Sequence, residues 1–152
     1  MRKPPVLWTN LILFSTTALA TLVLVPWYGL THGYDGWQWL AMLMLFSYSC
    51  LSITGGYHRL WAHKAYQAHP VLQWLFALGG ALSLQNSAYH WCADHRRHHR
   101  HVDDYDQDPY SASRGLWFSH MGWMLRHYNT PDDSNIADLK RNRILQFQHR
   151  HY

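Results

Sequence analysis

The sequence predicts an all-α integral membrane protein: a transmembrane helical hairpin, then histidine-bearing helices on the cytoplasmic side, with an amphipathic helix at the interface. Three observations lead there. Residues 4–34 and 36–57 contain no Asp, Glu, Lys or Arg. Of 13 Lys/Arg, 11 lie from His58 onward, as do 12 of 13 His. The chain is 48% hydrophobic, yet its mean hydropathy is −0.33, because apolar and polar residues are segregated into two solvents.

The first apolar run, VLWTNLILFSTTALATLVLV at 6–25, spans roughly 30 Å as a helix, the thickness of a hydrocarbon core. Arg2 and Lys3 precede it, as in a signal peptide. Its apolar part is too long for one, and no small-residue cleavage site follows. Pro26, Trp27 and Tyr28 close it as an interfacial belt, giving a span over about 6–26. A link at 27–36 carries no Lys or Arg, and WQWLAMLMLFSYSCLSITGGY at 37–57 supplies the second span. With Arg2/Lys3 before the hairpin and basic residues after Arg59, the positive-inside rule puts both ends in the cytoplasm. The division is therefore a hairpin at 1–57 and a cytoplasmic histidine region at 58–152.

A third apolar stretch, VLQWLFALGGALSLQ at 71–85, is short for a span and reads as a buried or re-entrant helix. An acidic loop, VDDYDQDPY, follows the histidines and is broken by Pro109. GLWFSHMGWMLRHY at 115–128 reads as one amphipathic helix at the interface, with Trp117 and Trp123 turned toward lipid. Thr130–Asp133 gives a turn and helix-start signal ahead of a charged helix. Cys50 lies in an apolar run and Cys92 beside histidines, so both read as free thiols in a reducing setting. A net charge of +4 could suggest nucleic acid, but a groove-binding patch needs no charge-free runs of membrane length. Anionic lipid or acidic headgroups fit the basic face better.

The chemistry concentrates in HRLWAH at 58–63 and HRRHHRH at 95–101. On a helix His95, His98 and His99 project within an arc of about 100°. Protonated together they repel, whereas a metal takes them as neutral ligands. The competing reading is a basic headgroup-binding patch, which suits Arg96, Arg97 and Arg100 as the solvent or headgroup side. His32, His69, His101 and His149 read as ordinary surface or structural residues. His58 and His63, about 140° apart on an ideal helix, suit a terminus that unwinds, or two different ions. Structural zinc closes with about four ligands, often including Cys. More than four nitrogen donors at a membrane surface favour a two-metal iron site that activates oxygen.

HRLWAH followed by DHRRHH resembles the first two histidine boxes of the membrane-bound acyl-CoA (stearoyl-CoA-type) fatty acid desaturases. GGYHRLWAH, LQNSAYHWCADHRRHH, RGLWFSHMGWML and QFQHRHY are similar to that family in the same order. The resemblance implies a non-haem enzyme that uses two iron ions, O2 and two electrons to introduce a cis double bond into a long-chain acyl thioester. It assigns His58, His63, His95, His98 and His99 as metal ligands, and puts Gln85, Trp91 and Asp94 at the acyl tunnel and its mouth. It implies an acyl-CoA or other acyl-lipid substrate, a membrane setting, and a separate ferredoxin-, rubredoxin- or cytochrome b5-like electron donor, with no nucleic acid. Two departures stand out. Ala93 replaces the Arg that precedes the box Asp in relatives, and the family's third histidine box and second pair of spans do not occur in residues 1–152. The expectation is an N-terminal portion of such an enzyme, inactive alone. Alternatives are a histidine-box hydroxylase or alkane monooxygenase, argued against by the four-residue gap in HRLWAH, and a non-catalytic membrane protein binding metal or headgroups.

Overall fold

A computed structural model describes residues 4–128 and 132–152. Arg2, Lys3 and Thr130, used in the orientation and helix-start arguments, lie outside them. Among the described residues the fold is all-helical apart from an isolated antiparallel bridge between Val6 and Arg126. Two helices are long and apolar enough to cross a membrane, Trp8–Thr31 and Gly36–Ala62.

Helix α1 (Trp8–Thr31) has no buried residue and carries Pro26 in its interior. The expected end at Pro26 is therefore too early. Proline removes a single N–H donor, and the helix resumes beyond it with Thr31 Oγ1 donating to Trp27 O at 2.8 Å. Helix α2 (Gly36–Leu51) starts with a capping box, in which Asp35 accepts from Gln38 N and Gln38 accepts from Asp35 N. Gln38 Nε2 also donates to Tyr28 O–H, joining the end of α1 to the start of α2. The start of α1 is tied elsewhere. Leu7 N donates to Leu125 O, His127 N to Pro5 O, and Asn10 Nδ2 to Met124 O.

Helix α2 does not stop at Tyr57. It widens into an 11-residue π-helix, Ser52–Ala62, whose last residues Tyr57, Leu60, Trp61 and Ala62 enter the core. Helix α3 (Pro70–Leu82) packs on it through paired glycines. A Cβ on Gly79 meets Ser52 Oγ at 2.1 Å, one on Gly80 meets Tyr57 Cε1 at 2.1 Å, and one on Gly56 meets Phe76 Cβ at 2.6 Å. Only Ala77, Gly79 and Gly80 of α3 are buried, while Val71, Leu75, Leu78 and Leu82 are exposed. The stretch is thus apolar on two sides but covered on one, rather than a fully buried helix.

Helix α4 (Ala88–Arg100) buries Ala88, Tyr89, Cys92 and Ala93 against the π-helix and the C-terminal segment. After α4 the expected continuous helix over 115–128 is absent. A short helix α5 (Leu116–His120) is followed by a single 3₁₀ turn at Gly122–Met124. Gly115, at φ +95°, breaks the chain before α5. Beyond it Met124 N and Leu125 N close the 3₁₀ turn on Met121 O and Gly122 O, and the chain from Met124 to His127 then bonds to Pro5, Leu7 and Asn10. Trp117 is exposed as expected, but Trp123 turns inward onto Tyr110, ring centroids 5.1 Å apart. The charged C-terminal helix also starts late, as α6 (Arg143–His151), where Asn142 Oδ1 accepts from Ile144 N and Leu145 N.

Gln148 of α6 joins three elements. Its Oε1 accepts from Ala88 N at the start of α4, and its Nε2 donates to Tyr57 O–H and to Ala77 O. Every polar atom of this buried amide is paired, as burial demands. The glycine contacts give a direct test. Gly80→Ala is expected to destabilise the fold by about 1–3 kcal/mol through overpacking against the Tyr57 ring. Gly36→Ala, with nothing within 4 Å of its Cβ, is expected to leave the thermal midpoint in detergent unchanged or slightly raised. Equal midpoints for the two variants would refute the close approach.

Candidate metal centre

Four imidazoles, His58, His63, His95 and His99, turn one ring nitrogen each toward a common point, all within 4.8 Å of one another. The π-helix makes this possible. Its i→i+5 hydrogen bonds, the last from His63 N to His58 O at 2.9 Å, wind about 4.4 residues per turn. Residues five apart then lie only about 50° apart around the axis, against about 140° on an α-helix. Of the two expectations for His58 and His63, a terminus that departs from α-helical winding is the one the backbone shows. Their rings are 4.5 Å apart and point into one group. His95 and His99 come from successive turns of α4, with ring centroids 4.6 Å apart.

The nitrogens suit a cation. His63 Nε2 lies 3.1 Å from both His58 Nε2 and His95 Nε2, and His95 Nε2 lies 3.1 Å from His99 Nε2. An imidazole nitrogen carries either one hydrogen or one lone pair, so at most two of these three contacts can be well-formed hydrogen bonds at once. Metal–nitrogen bonds of about 2.0–2.1 Å separate neighbouring ligand atoms by about 2.9–3.4 Å between right-angled and tetrahedral arrangements. The observed spacing falls in that interval. Burial first, then the charges of His99, His58, His63 and His98, push the His95 pKa down to about 3. His63 is lowered by burial and by His58, His99 and Arg96. Both are therefore neutral at pH 7, the form that binds metal.

Surrounding groups fix the rings. Tyr110 O–H lies 3.3 Å from His95 Nδ1, and Trp91 stacks on the His95 ring at 4.7 Å and 26°. His98 stands outside the group of four. Its Nδ1 is 2.9 Å from Oδ2 of Asp108, which is 1% exposed. The two Asp108 oxygens also accept from Asp103 N and Tyr110 N. The carboxylate engages the ring through Nδ1, the contact by which a buried carboxylate orients a metal-binding histidine.

Trp91 and Gln85 are brought together, Trp91 Nε1 donating to Gln85 Oε1 at 3.2 Å. Asp94 pairs with Arg97 at 3.1 Å, and burial raises its carboxyl above the usual value. Arg96 corrects the sequence reading most. Instead of facing solvent or headgroups, it points into the fold, bidentate to Asp138 at 2.8 and 3.0 Å. Arg97 is also largely covered, its side chain 18% exposed. Only Arg100 is exposed as expected. Asp108, Tyr110 and Asp138 escaped sequence reasoning. They come from loops and single turns, where no periodicity marks an inward side chain.

The sequence pattern described as fatty acid desaturase matches residues 35–152. The chain belongs to the fatty acid desaturase family. It is 39% identical to an acyl-CoA desaturase of Cyprinus carpio over 161 aligned residues, covering 99% of this chain and 47% of the relative. It is 42% identical to a probable acyl-CoA desaturase of Schizosaccharomyces pombe over 112 residues, 72% of this chain and 23% of that protein. Against an acyl-CoA Delta(11) desaturase of Choristoneura rosaceana it is 39% identical over 155 residues, 97% of this chain and 44% of the relative. The desaturase chain thus spans about half the length, or less, of the curated relatives it matches.

The Asp138 carboxyl is held well below the usual range, chiefly by its hydrogen bond to Arg96 and then by Lys64. A depressed carboxyl stabilises the fold fully above its unfolded value of about 3.9, and the contribution disappears as pH falls through the folded value. The gap in thermal midpoint between the native chain and Asp138→Asn is therefore expected to be complete at pH 7 and to close below about pH 4. A gap that widens on acidification contradicts the pairing.

Proposed function

We propose that this chain forms the first part of a membrane di-iron fatty acyl desaturase, acting on long-chain acyl-CoA or a related acyl thioester. The observation that carries the reading is the convergence of His58, His63, His95 and His99 in a member of the desaturase family. His98, oriented by Asp108, is the fifth ligand. Two iron ions held there would supply the O2 chemistry, in which the four electrons that reduce O2 to two waters come two from the acyl C–H bonds and two from the external donor.

The chain's own residues do the rest. Neutral imidazoles present nitrogen lone pairs, Tyr110 and Asp108 fix the tautomers of His95 and His98, and Trp91 provides an apolar wall beside His95. Gln85, Trp91 and Asp94 line the acyl path. Electrons come from a separate ferredoxin-, rubredoxin- or cytochrome b5-like donor. The hairpin at 1–57 lies in the membrane and 58–152 faces the cytoplasm. The tie between the start of α1 and residues 124–127 supports this arrangement, because it keeps the N-terminal end of the first span on the histidine side.

Membranes carrying the chain in its full genetic context, with iron, O2, a reduced donor and a saturated C18 acyl-CoA, are expected to yield a product lighter by two hydrogens. A product gaining one oxygen atom means a hydroxylase instead. His95→Ala is expected to lose iron and lower turnover by roughly 100-fold or more. Full activity in that variant rules out the site.

A further inference from the structure

The carboxylate of Asp138 sits between the two histidine segments and grips the residue after a ligand in each. Arg96 follows His95, and its Nη1 and Nη2 meet Asp138 Oδ1 and Oδ2 at 2.8 and 3.0 Å. Lys64 follows His63, and its Nζ lies 3.1 Å from Asp138 Oδ2. Lys64 itself has φ +54°, a left-handed conformation that an unbranched L residue adopts only at a cost. The chain thus turns sharply right after His63, and the Lys64 side chain is held at that turn.

Arg96 does more than pair. A π-helix ends with carbonyls that have no partner farther along, and two of them, Trp61 O and Ala62 O, are taken by Arg96 Nη2 at 2.6 Å and Nε at 3.1 Å. Its remaining donor reaches Asn135 O at 2.6 Å. All five guanidinium hydrogens are accounted for. The side chain is 15% exposed, so these are interior contacts. The planar fork reads two carbonyls of the helix carrying His58 and His63 from the helix carrying His95 and His99. A lysine cannot reproduce that pattern.

We propose that Asp138, with Arg96 and Lys64, is a positioning clamp that sets the separation of His63 and His95 and so the ligand geometry of the metal centre. The inference rests on the metal reading of the four histidines. In this arrangement Arg96 and Lys64 act through the backbone next to a ligand, and Asp138 acts through Arg96 and Lys64. The clamp differs from a merely structural ion pair in what it predicts: metal geometry should change in molecules that remain folded.

The test loads the detergent-solubilised chain with Co2+ and follows its visible d–d bands, whose position and intensity report ligand number and geometry. Apo-protein melting is measured in parallel. The native chain is expected to show histidine-type bands that His95→Ala abolishes. Asp138→Asn and Arg96→Lys are expected to weaken Co2+ binding at least tenfold and shift the bands while the apo protein stays folded, with Asp138→Glu recovering part of the affinity. Folded Asp138→Asn and Arg96→Lys variants with native bands and affinity within twofold overturn the clamp and leave the metal reading standing. No bands in the native chain overturn the metal reading and the clamp with it. If those two variants do not fold, Lys64→Met, which removes only the exposed arm, decides. Threefold weaker binding with altered bands supports the clamp, and native values overturn it.

Discussion

The wide winding of residues 52–62 is the constraint on which the rest of the structure depends. Hydrogen bonds from each N–H to the fifth carbonyl back are a poor bargain for an isolated chain, and π-helical segments are rare for that reason. Here the winding swings His63 round to the face of His58, so that one helix end brings two imidazoles together. Helix α3 approaches through Gly79 and Gly80, since a Cβ at either position meets Ser52 or Tyr57 at 2.1 Å. The carbonyls left at the C-terminal end fall to Arg96. Glycine pairs, buried arginine and histidine spacing are three consequences of one backbone choice.

A second tension concerns the imidazoles themselves. Four rings at these separations cannot all be charged, and burial of His95 already favours the neutral form. Their three Nε2 contacts nevertheless cannot all be linear hydrogen bonds at once, since each of these nitrogens carries one hydrogen or one lone pair. A protein can hold such a group only by fixing the rings from behind. Trp91 stacking and the Tyr110 hydroxyl do so for His95, and Asp108 does so for His98. The apolar packing of Tyr57, Ala88 and Cys92, with Gln148 bridging three helices, keeps the backbones from relaxing apart.

Much of this was legible in the sequence, and the limits are physical. Charge-free runs of span length mark α1 and α2, and the spacing of His95 and His99 marks a shared face, because both signals use ordinary α-helical periodicity. His58 and His63 left two readings open because the same periodicity fails in a π-helix, and no residue type announces one. Arg96 was misjudged because charge argues for solvent until a carboxylate distant in sequence, Asp138, is brought opposite it. The amphipathic pattern over 115–128 was real, but its apolar face is shared out. Trp117 is exposed while Trp123 meets Tyr110, and the backbones of Leu125 and His127 bond to residues ahead of α1. Pattern reports which residues avoid water and leaves open which backbone completes them.

The second histidine segment holds one further consequence of helical geometry. Relative to His95, His99 lies about 40° around the axis in one direction and His98 about 60° in the other. A single ion cannot draw both equally without distorting α4, and the structure divides them. His99 joins His95 in the group of four, while His98 turns toward the loop that carries Asp108. The carboxylate therefore does not merely neutralise a neighbour. It holds the imidazole by its Nδ1 edge, so that the loop rather than the first group fixes the ring. One 13-residue helix in this way gives His99 to the group of four and His98 to the Asp108 loop, residues that a reading of spacing alone collects onto one face.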